Sequence, residues 1–244
     1  MYFLCVFVCN DAVQGRPKTV AVGDTLRIGA GIDIVKIAQN TYLHITYMPY
    51  GDDSIPCNGL IYVSHGEAAV FDAPLNYRQS AVLSGWIADS LKARIKFVVV
   101  NHHHEDCIGG IDYFTNRGIE TWSQRRCCKL AKESGFSCTI RYFDHELVLQ
   151  VGNDSVICWW PGKAHTADNI VCYLPTNKTL FAGCMVRAMG AGKGNLKDAY
   201  PQQWAETLKA VQDRFGHAQT IIPGHGAPGG SEIIEYTIGL FSPE

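Results

Sequence analysis

Ile95-Lys-Phe-Val-Val-Val-Asn-His-His-His-Glu-Asp106 is the stretch that decides the fold, because an apolar run leads directly into a cluster of metal-binding side chains. The residues up to Val100 are typical of a buried strand. His102, His104 and Asp106 then occupy alternate positions, where side chains leaving a sheet can converge. Two imidazoles and a carboxylate in this pattern favour zinc. For this motif alone, a chance polar cluster is the alternative.

Three more candidate ligands follow apolar runs elsewhere in the chain. His165 lies in the turn-rich segment Gly162-Lys-Ala-His-Thr-Ala-Asp-Asn169, Cys184 follows Thr-Leu-Phe-Ala-Gly183, and His225 lies within Pro-Gly-His-Gly226. Functional residues are commonly carried by loops that a rigid sheet holds in position. Several strand ends that each deliver a ligand therefore strengthen the zinc prediction.

The other histidines are interpreted as structural. His103 should point away from its two neighbours and shape the pocket. The remaining histidines stand singly in strand, turn or helix-end contexts, and they are His44, His65, His145 and His217.

Apolar periodicity predicts strands and helices in two similar halves. Runs at 60–63 and 68–71 indicate a hairpin, and residues 77–93 show the spacing of an amphipathic helix. In the second half, four predicted strands precede a helix at 202–215. The pattern predicts an α/β protein with a four-layer αββα sandwich, in which two mixed sheets pack face to face with helices outside. No linker divides the halves, so residues 21–244 are predicted to form a single domain.

Composition narrows the function classes. The chain has 244 residues, 47% hydrophobic residues and a formal net charge of -2, which fits one globular domain and argues against a nucleic-acid partner. Residues 1–20 are interpreted as an atypical or truncated export signal with an N-terminal tail, because an apolar stretch precedes a polar segment. The alternative is a buried first strand. No apolar run is long enough to predict a membrane span.

The ten cysteines allow two interpretations. Disulfides are common in secreted proteins, but Cys158 and Cys172 lie in apolar, strand-like runs where free cysteine behaves as a small hydrophobic residue. Most of the cysteines are therefore predicted to be core thiols. One or two disulfides remain open, without assigned partners.

The motifs His-x-His-x-Asp, Gly-x-x-His-Thr-x-Asp-Asn, Gly-Cys and Pro-Gly-His-Gly, in this order, resemble those of the class B metallo-β-lactamases. The resemblance runs from about Gly23 to Leu240, and it is greatest to the di-zinc subclass that has a cysteine ligand. It implies two Zn²⁺ ions per chain, one bound by three histidines and one by a mixed triad. The implied ligands are His102, His104 and His165 for the first ion, and Asp106, Cys184 and His225 for the second.

The resemblance also implies an activity. A metal-bound hydroxide would hydrolyse the β-lactam amide bond of penicillins, cephalosporins and carbapenems and so confer antibiotic resistance. Asp106 would orient the hydroxide, Asn195 would stabilise the oxyanion and bind substrate, and Arg187 or Lys193 would bind the substrate carboxylate. We expect the protein to be a monomer that is located in the bacterial periplasm or secreted from the cell. The alternatives are another zinc hydrolase of this fold, such as a lactonase or thioesterase, and a non-catalytic zinc or thiol-redox protein.

Two further features complete the sequence-based expectations. The segment from Tyr47 to Pro56 resembles the mobile flap that covers the substrate in this family, with an ordinary hairpin loop as the alternative. Cys107, next to a predicted ligand, is expected to be a neighbouring thiol and not a ligand itself.

Overall fold

Two sheets and six α-helices form the part of the chain that the computed structural model describes, residues 23–242. The predicted export signal at 1–20 lies outside the described residues. The strands are β1 (Thr25–Ile28), β2 (Ile32–Ala38), β3 (Thr41–Tyr50), β4 (Asp53–Ser64), β5 (Glu67–Phe71), β6 (Arg94–Val99), β7 (Glu120–Gln124), β8 (Arg141–Phe143), β9 (Glu146–Val151), β10 (Asp154–Trp159), β11 (Val171–Leu174), β12 (Thr179–Gly183) and β13 (Thr220–Pro223). The helices are α1 (Tyr77–Leu91), α2 (Glu105–Ile108), α3 (Ile111–Thr115), α4 (Cys127–Glu133), α5 (Pro201–Phe215) and α6 (Glu232–Phe241).

Both sheets are mixed. The first has the order β1-β2-β3-β4-β5-β6-β7-β8, antiparallel as far as β5 and parallel from β5 to β8. The second has the order β13-β12-β11-β10-β9, with β12 and β13 parallel and the rest antiparallel. The predicted pair of mixed sheets is confirmed.

Three apolar layers hold the sandwich together. Leu83 of α1 lies in the cluster between the helices and the first sheet, Phe71 and Phe181 meet between the two sheets, and Trp204 of α5 packs in the cluster outside the second sheet. The two phenylalanine rings have centroids 6.1 Å apart. Helices therefore cover the outer face of each sheet, which gives the predicted four-layer αββα order.

Most of the predicted elements are present, with differences at short or N-terminal ones. The segment after His104 forms two short helices, α2 and α3, and the sheets have eight and five strands, so the predicted similar halves are unequal. The extra strands of the first sheet are largely N-terminal, where β1 alternates between exposed and partly buried positions and β2 is mostly partly buried. The flap-like segment at 47–56 is the end of the β3–β4 hairpin, in which Tyr50 pairs with Asp53.

The cysteines follow the core-thiol interpretation, with one exception. A disulfide joins Cys128 to Cys138, while the free cysteines in the described part of the chain are all buried. Cys158 and Cys172 face each other across β10 and β11 with their sulfurs 3.6 Å apart. Between residues 23 and 242, no helix has the length and apolar character needed to cross a membrane.

Candidate metal centre

The six predicted ligands come together at one edge of the sandwich. His102 and His104 follow β6, and Asp106 lies in the first turn of α2. His165 lies in the loop between β10 and β11, and Cys184 and His225 follow β12 and β13. The parallel strands β12 and β13 end at the same edge, so Cys184 and His225 meet there. Strand ends of two facing sheets thus deliver all six side chains.

The three histidines present one ring nitrogen each to a common point. Nδ1 of His104 lies 3.1 Å from Nε2 of His102 and 3.1 Å from Nε2 of His165. Zinc–nitrogen bonds of about 2.0–2.1 Å in a tetrahedron place nitrogen ligands roughly 3.3 Å apart. The donor set and its spacing therefore fit one zinc ion.

The second triad is equally compact. Oδ2 of Asp106, Sγ of Cys184 and Nε2 of His225 form a triangle with sides of 3.3 Å. Oδ1 of the same carboxylate lies 3.9 Å from Nε2 of His102. Asp106 therefore stands between the two triads, and a thiol, a carboxylate and an imidazole are donors that zinc accepts.

Neighbouring acceptors orient two of the histidine rings. Nε2 of His104 lies 3.1 Å from Oδ2 of Asp198, and Nδ1 of His225 lies 2.8 Å from the carbonyl oxygen of Pro56. An N–H donated to such an acceptor leaves the other ring nitrogen with its lone pair facing the centre. The nitrogens that point toward the centre are Nδ1 of His104 and Nε2 of His225, which are the atoms that complete the triads.

His102 is supported from behind. Its Nδ1 lies 3.1 Å from Oδ1 of Asn101 and 3.2 Å from Sγ of Cys107. The backbone N–H of Asn101 donates to Oδ1 of buried Asp72 at 2.6 Å, and burial raises the pKa of Asp72 well above its ordinary value. His103 turns away from the triad, with Nδ1 3.0 Å from Asp168.

Burial dominates the electrostatics of the ligands. It lowers the pKa of His165 to about 3 and that of His102 well below its ordinary value, and the neighbouring His104 adds to both shifts. Burial also raises the pKa of the Cys184 thiol, and the Asp106 carboxylate adds to the rise. His102 and His165 are thus neutral and ready to bind a metal ion, whereas the thiol would release its proton on binding one.

Asp106 and His225 form an ion pair within the second triad. Burial alone would raise the pKa of Asp106, but the hydrogen bond from His225 and the nearby imidazoles hold it well below its ordinary value. Burial alone would lower the pKa of His225, but the hydrogen bonds to Asp106 and Cys57 raise it to about 10. A metal ion at this triad would take the place of the imidazole proton.

The predicted substrate-binding residues lie on the loop after β12. Nε of Arg187 donates to the carbonyl oxygen of Gly192 at 3.0 Å, and its positive charge contributes to the pKa shifts of His165 and Cys184. Oδ1 of Asn195 accepts a hydrogen bond from the backbone N–H of Lys197 at 3.0 Å. Nζ of Lys193 instead stands over the ring of Phe241, 5.8 Å from its centroid.

Two aspartates that the sequence analysis missed support the ligands, one by direct contact and the other through Asn101. Asp198 and Asp72 hold His104 and the Asn101 backbone, as described above. Asp72 directly follows β5 with φ of 62°, so an aspartate at a strand end was the available signal. Asp198 lies three residues after Asn195 in a loop without periodicity, which offered no comparable signal.

The αββα sandwich with two donor triads at its edge defines the class of metallo-β-lactamase-fold proteins. Comparisons with known proteins agree. Metallo-beta-lactamase type 2 from Bacteroides fragilis is 34% identical over 223 residues, covering 91% of this chain and 90% of the relative. Metallo-beta-lactamase type 2 from Bacillus cereus is 30% identical, covering 86% of this chain and 82% of the relative. No protein-family model matches the chain.

Solved structures give the same result. The metallo-beta-lactamase from Pontibacter korlensis superposes with a TM-score of 0.83 at 29% identity, covering 86% of this chain and 98% of that one. A metallo-beta-lactamase from Pseudomonas aeruginosa, solved in its mono-zinc form, gives 0.81 at 31% identity, covering 86% and 94%. The chain belongs to the class B metallo-β-lactamases.

Proposed function

We propose that this protein hydrolyses the amide bond of β-lactam antibiotics in a zinc-dependent reaction and so confers resistance to them. The observation that carries the proposal is the pair of adjacent donor triads, with spacings of 3.1 Å in one and 3.3 Å in the other. The three-histidine triad supplies three protein ligands and leaves a position open, which is typical of catalytic rather than structural zinc. The relatives named above support the choice of substrate class over a lactone or thioester.

Two zinc ions per chain are part of the proposal. His102, His104 and His165 would hold the first, and Asp106, Cys184 and His225 the second. Zinc at these positions would polarise the lactam carbonyl and lower the pKa of water toward about 7. Metal analysis of the purified protein after desalting counts the ions directly.

The chain's own residues supply orientation and charge. Asp106, between the triads, would accept a hydrogen bond from the attacking water and keep it directed at the carbonyl carbon. The hydrogen bond to Lys197 fixes the Asn195 amide, so that Nδ2 donates to the oxygen on which negative charge develops. Arg187 binds the substrate carboxylate, since its guanidinium carries the positive charge beside both triads.

Turnover of a chromogenic cephalosporin and of a carbapenem tests the proposal. We expect hydrolysis with zinc, loss of hydrolysis with a chelator, and recovery when zinc is added back. A His104→Ala variant should be inactive. Zinc-loaded protein that turned over neither substrate would contradict the activity, whereas a fully active His104→Ala variant would contradict only the site.

The protein's location is a separate proposal: the bacterial periplasm or the medium, as a monomer with residues 21–244 forming a single domain. The Cys128–Cys138 disulfide supports an oxidising compartment. Cell fractionation, N-terminal sequencing of the mature chain and size-exclusion chromatography test these points. A protein retained in the cytosol with its N-terminus intact would contradict the export proposal.

A further inference from the structure

A second thiol, from Cys57 in β4, lies beside the triad of Asp106, Cys184 and His225. The sulfur of Cys57, a carboxylate oxygen of Asp106 and a ring nitrogen of His225 all lie within 4.8 Å of one another. Sγ of Cys184 lies 3.3 Å from the same two partners. Both cysteines are almost fully buried, with 2% and 1% of their surface exposed. Two thiols therefore flank one carboxylate–imidazole pair.

Hydrogen bonds on both sides of Cys57 tie it to the loop that carries His225. The backbone N–H of Asn58 donates to Gly224 O at 2.8 Å, and Nδ2 of Asn58 donates to the carbonyl oxygens of Pro223 and Gly226 at 2.9 and 2.8 Å. On the other side, the preceding carbonyl, of Pro56, accepts from the His225 ring. The backbone of Cys57 is thus held next to the His225 imidazole.

We propose that Cys57 is a fourth protein ligand of the second metal ion, which is then held by two thiolates, one imidazole and one carboxylate. This inference rests on the proposed function, which places a metal ion at that triad. Four such donors complete a tetrahedral shell. The Cys57 thiol donates to the carbonyl oxygen of Ile55 at 3.4 Å, and it exchanges this acceptor for the ion when the ion binds. Each thiol releases its proton to water as its sulfur–metal bond forms.

A two-thiolate site differs from a one-thiolate site in its preference for metals. Thiolates are soft ligands, so a second one favours thiophilic ions such as cadmium and strengthens the hold on zinc. The same shell occupies the open coordination position of the second ion. Cys57 therefore favours retention of the metal at this position.

Cys107 provides a matched control, because it is a third buried thiol next to the same ligands. Its sulfur lies 3.2 Å from Nδ1 of His102, the ring nitrogen on the far side from the triad. It therefore stands behind a ligand, and Cys57 stands beside the second triad.

Cobalt(II) loaded into the full chain tests the proposal, because cobalt bound to thiolate shows a charge-transfer absorption. Wild type, Cys57→Ser, Cys184→Ser and Cys107→Ser are compared per bound cobalt, with metal content measured in parallel. Cys57→Ser and Cys184→Ser should each retain roughly half of the absorption, whereas Cys107→Ser should retain all of it. Cys57→Ser should also weaken binding of the second cobalt by about tenfold.

The outcomes separate the two proposals. A spectrum unchanged in Cys57→Ser, with all of the absorption lost in Cys184→Ser, overturns the Cys57 ligand and leaves the proposed function standing. Wild-type protein that binds cobalt without any thiolate absorption contradicts the second metal site itself. If Cys57→Ser does not fold, the double variant Cys184→Ser/Cys107→Ser tests the same point. Thiolate absorption that remains in it must come from Cys57, and complete loss of the absorption overturns the Cys57 ligand.

Discussion

Nε2 of His104 lies 3.1 Å from Oδ2 of Asp198, while Nδ1 of the same ring faces His102 and His165 at 3.1 Å each. One contact thus fixes which nitrogen of His104 can bind a metal ion. Asp198 is 94 positions away in the chain and lies on the loop that also carries Asn195. The loop proposed to contact substrate therefore also positions a ligand of the first metal ion.

Asp198→Ala should weaken binding of the first zinc by about 10- to 100-fold, because the ring loses the acceptor that holds its tautomer and orientation. Competition with a chromophoric chelator measures the affinity. Asp213→Ala, an exposed aspartate on α5, is the matched control and should bind zinc as wild type does. Equal affinities in the two variants would contradict the orienting role of Asp198.

Gly224→Ala should remove the second metal ion and spare the first. A Cβ at this position would overlap Sγ of Cys184 and lie 2.7 Å from its backbone nitrogen, so the cysteine would be displaced from the triad. Metal content per chain, measured after desalting, should fall by one ion. Gly239→Ala in α6, where a Cβ meets open space, should change nothing. Full metal content in Gly224→Ala would show that Cys184 tolerates the displacement.

The layers of the sandwich were predictable because apolar residues recur with different spacings in buried strands and in amphipathic helices. Val98 and Leu83 belong to such patterns, and both lie in the cluster between the helices and the first sheet. The edge strand β8 was not predicted, since it has three residues and mostly exposed side chains. A strand of that kind shows no apolar period.

The convergence of the six metal-binding candidates was predictable for a related reason. Each follows a strand or lies in a loop at a strand end, and the ends of packed sheets share an edge. The partners that orient them were not predictable, because the contacts of Asp198 and Pro56 span 94 and 169 positions. Cys57 was missed for the same reason, since it is an ordinary strand residue until the fold brings His225 beside it.

Arg187→Ala should raise KM for cephalosporins by roughly tenfold with little change in kcat, because a charged contact to the substrate carboxylate is lost equally from ground and transition states. Steady-state kinetics in the zinc-loaded protein gives both constants. Lys193→Ala should have a smaller effect, since its ammonium stands over Phe241. A larger rise in KM for Lys193→Ala would assign the carboxylate to Lys193 instead.

His44 should make the protein less stable in mild acid. Burial lowers its pKa from 6.5 to about 4, against hydrogen bonds to backbone carbonyls that raise it, so the folded state keeps the ring neutral. In the unfolded chain the His44 ring has a pKa of 6.5 and binds a proton below that pH. The stability that the neutral, folded-state ring contributes is therefore complete above pH 6.5, and it is lost as the pH falls toward 4. The loss between about pH 7.5 and about pH 5 is roughly 2 kcal/mol.

His44→Gln isolates this effect, since the amide is neutral at every pH and can still donate to the carbonyl oxygen of Asp72, which lies 3.1 Å from Nε2 of His44. Urea unfolding of both proteins at the two pH values gives the free energies of unfolding. The wild type should lose about 2 kcal/mol more than His44→Gln on acidification, and acid release of the metal ions cancels in the difference. Parallel pH profiles would mean that His44 is protonated in the folded state, and the buried ring would then need an anionic partner at its free Nδ1.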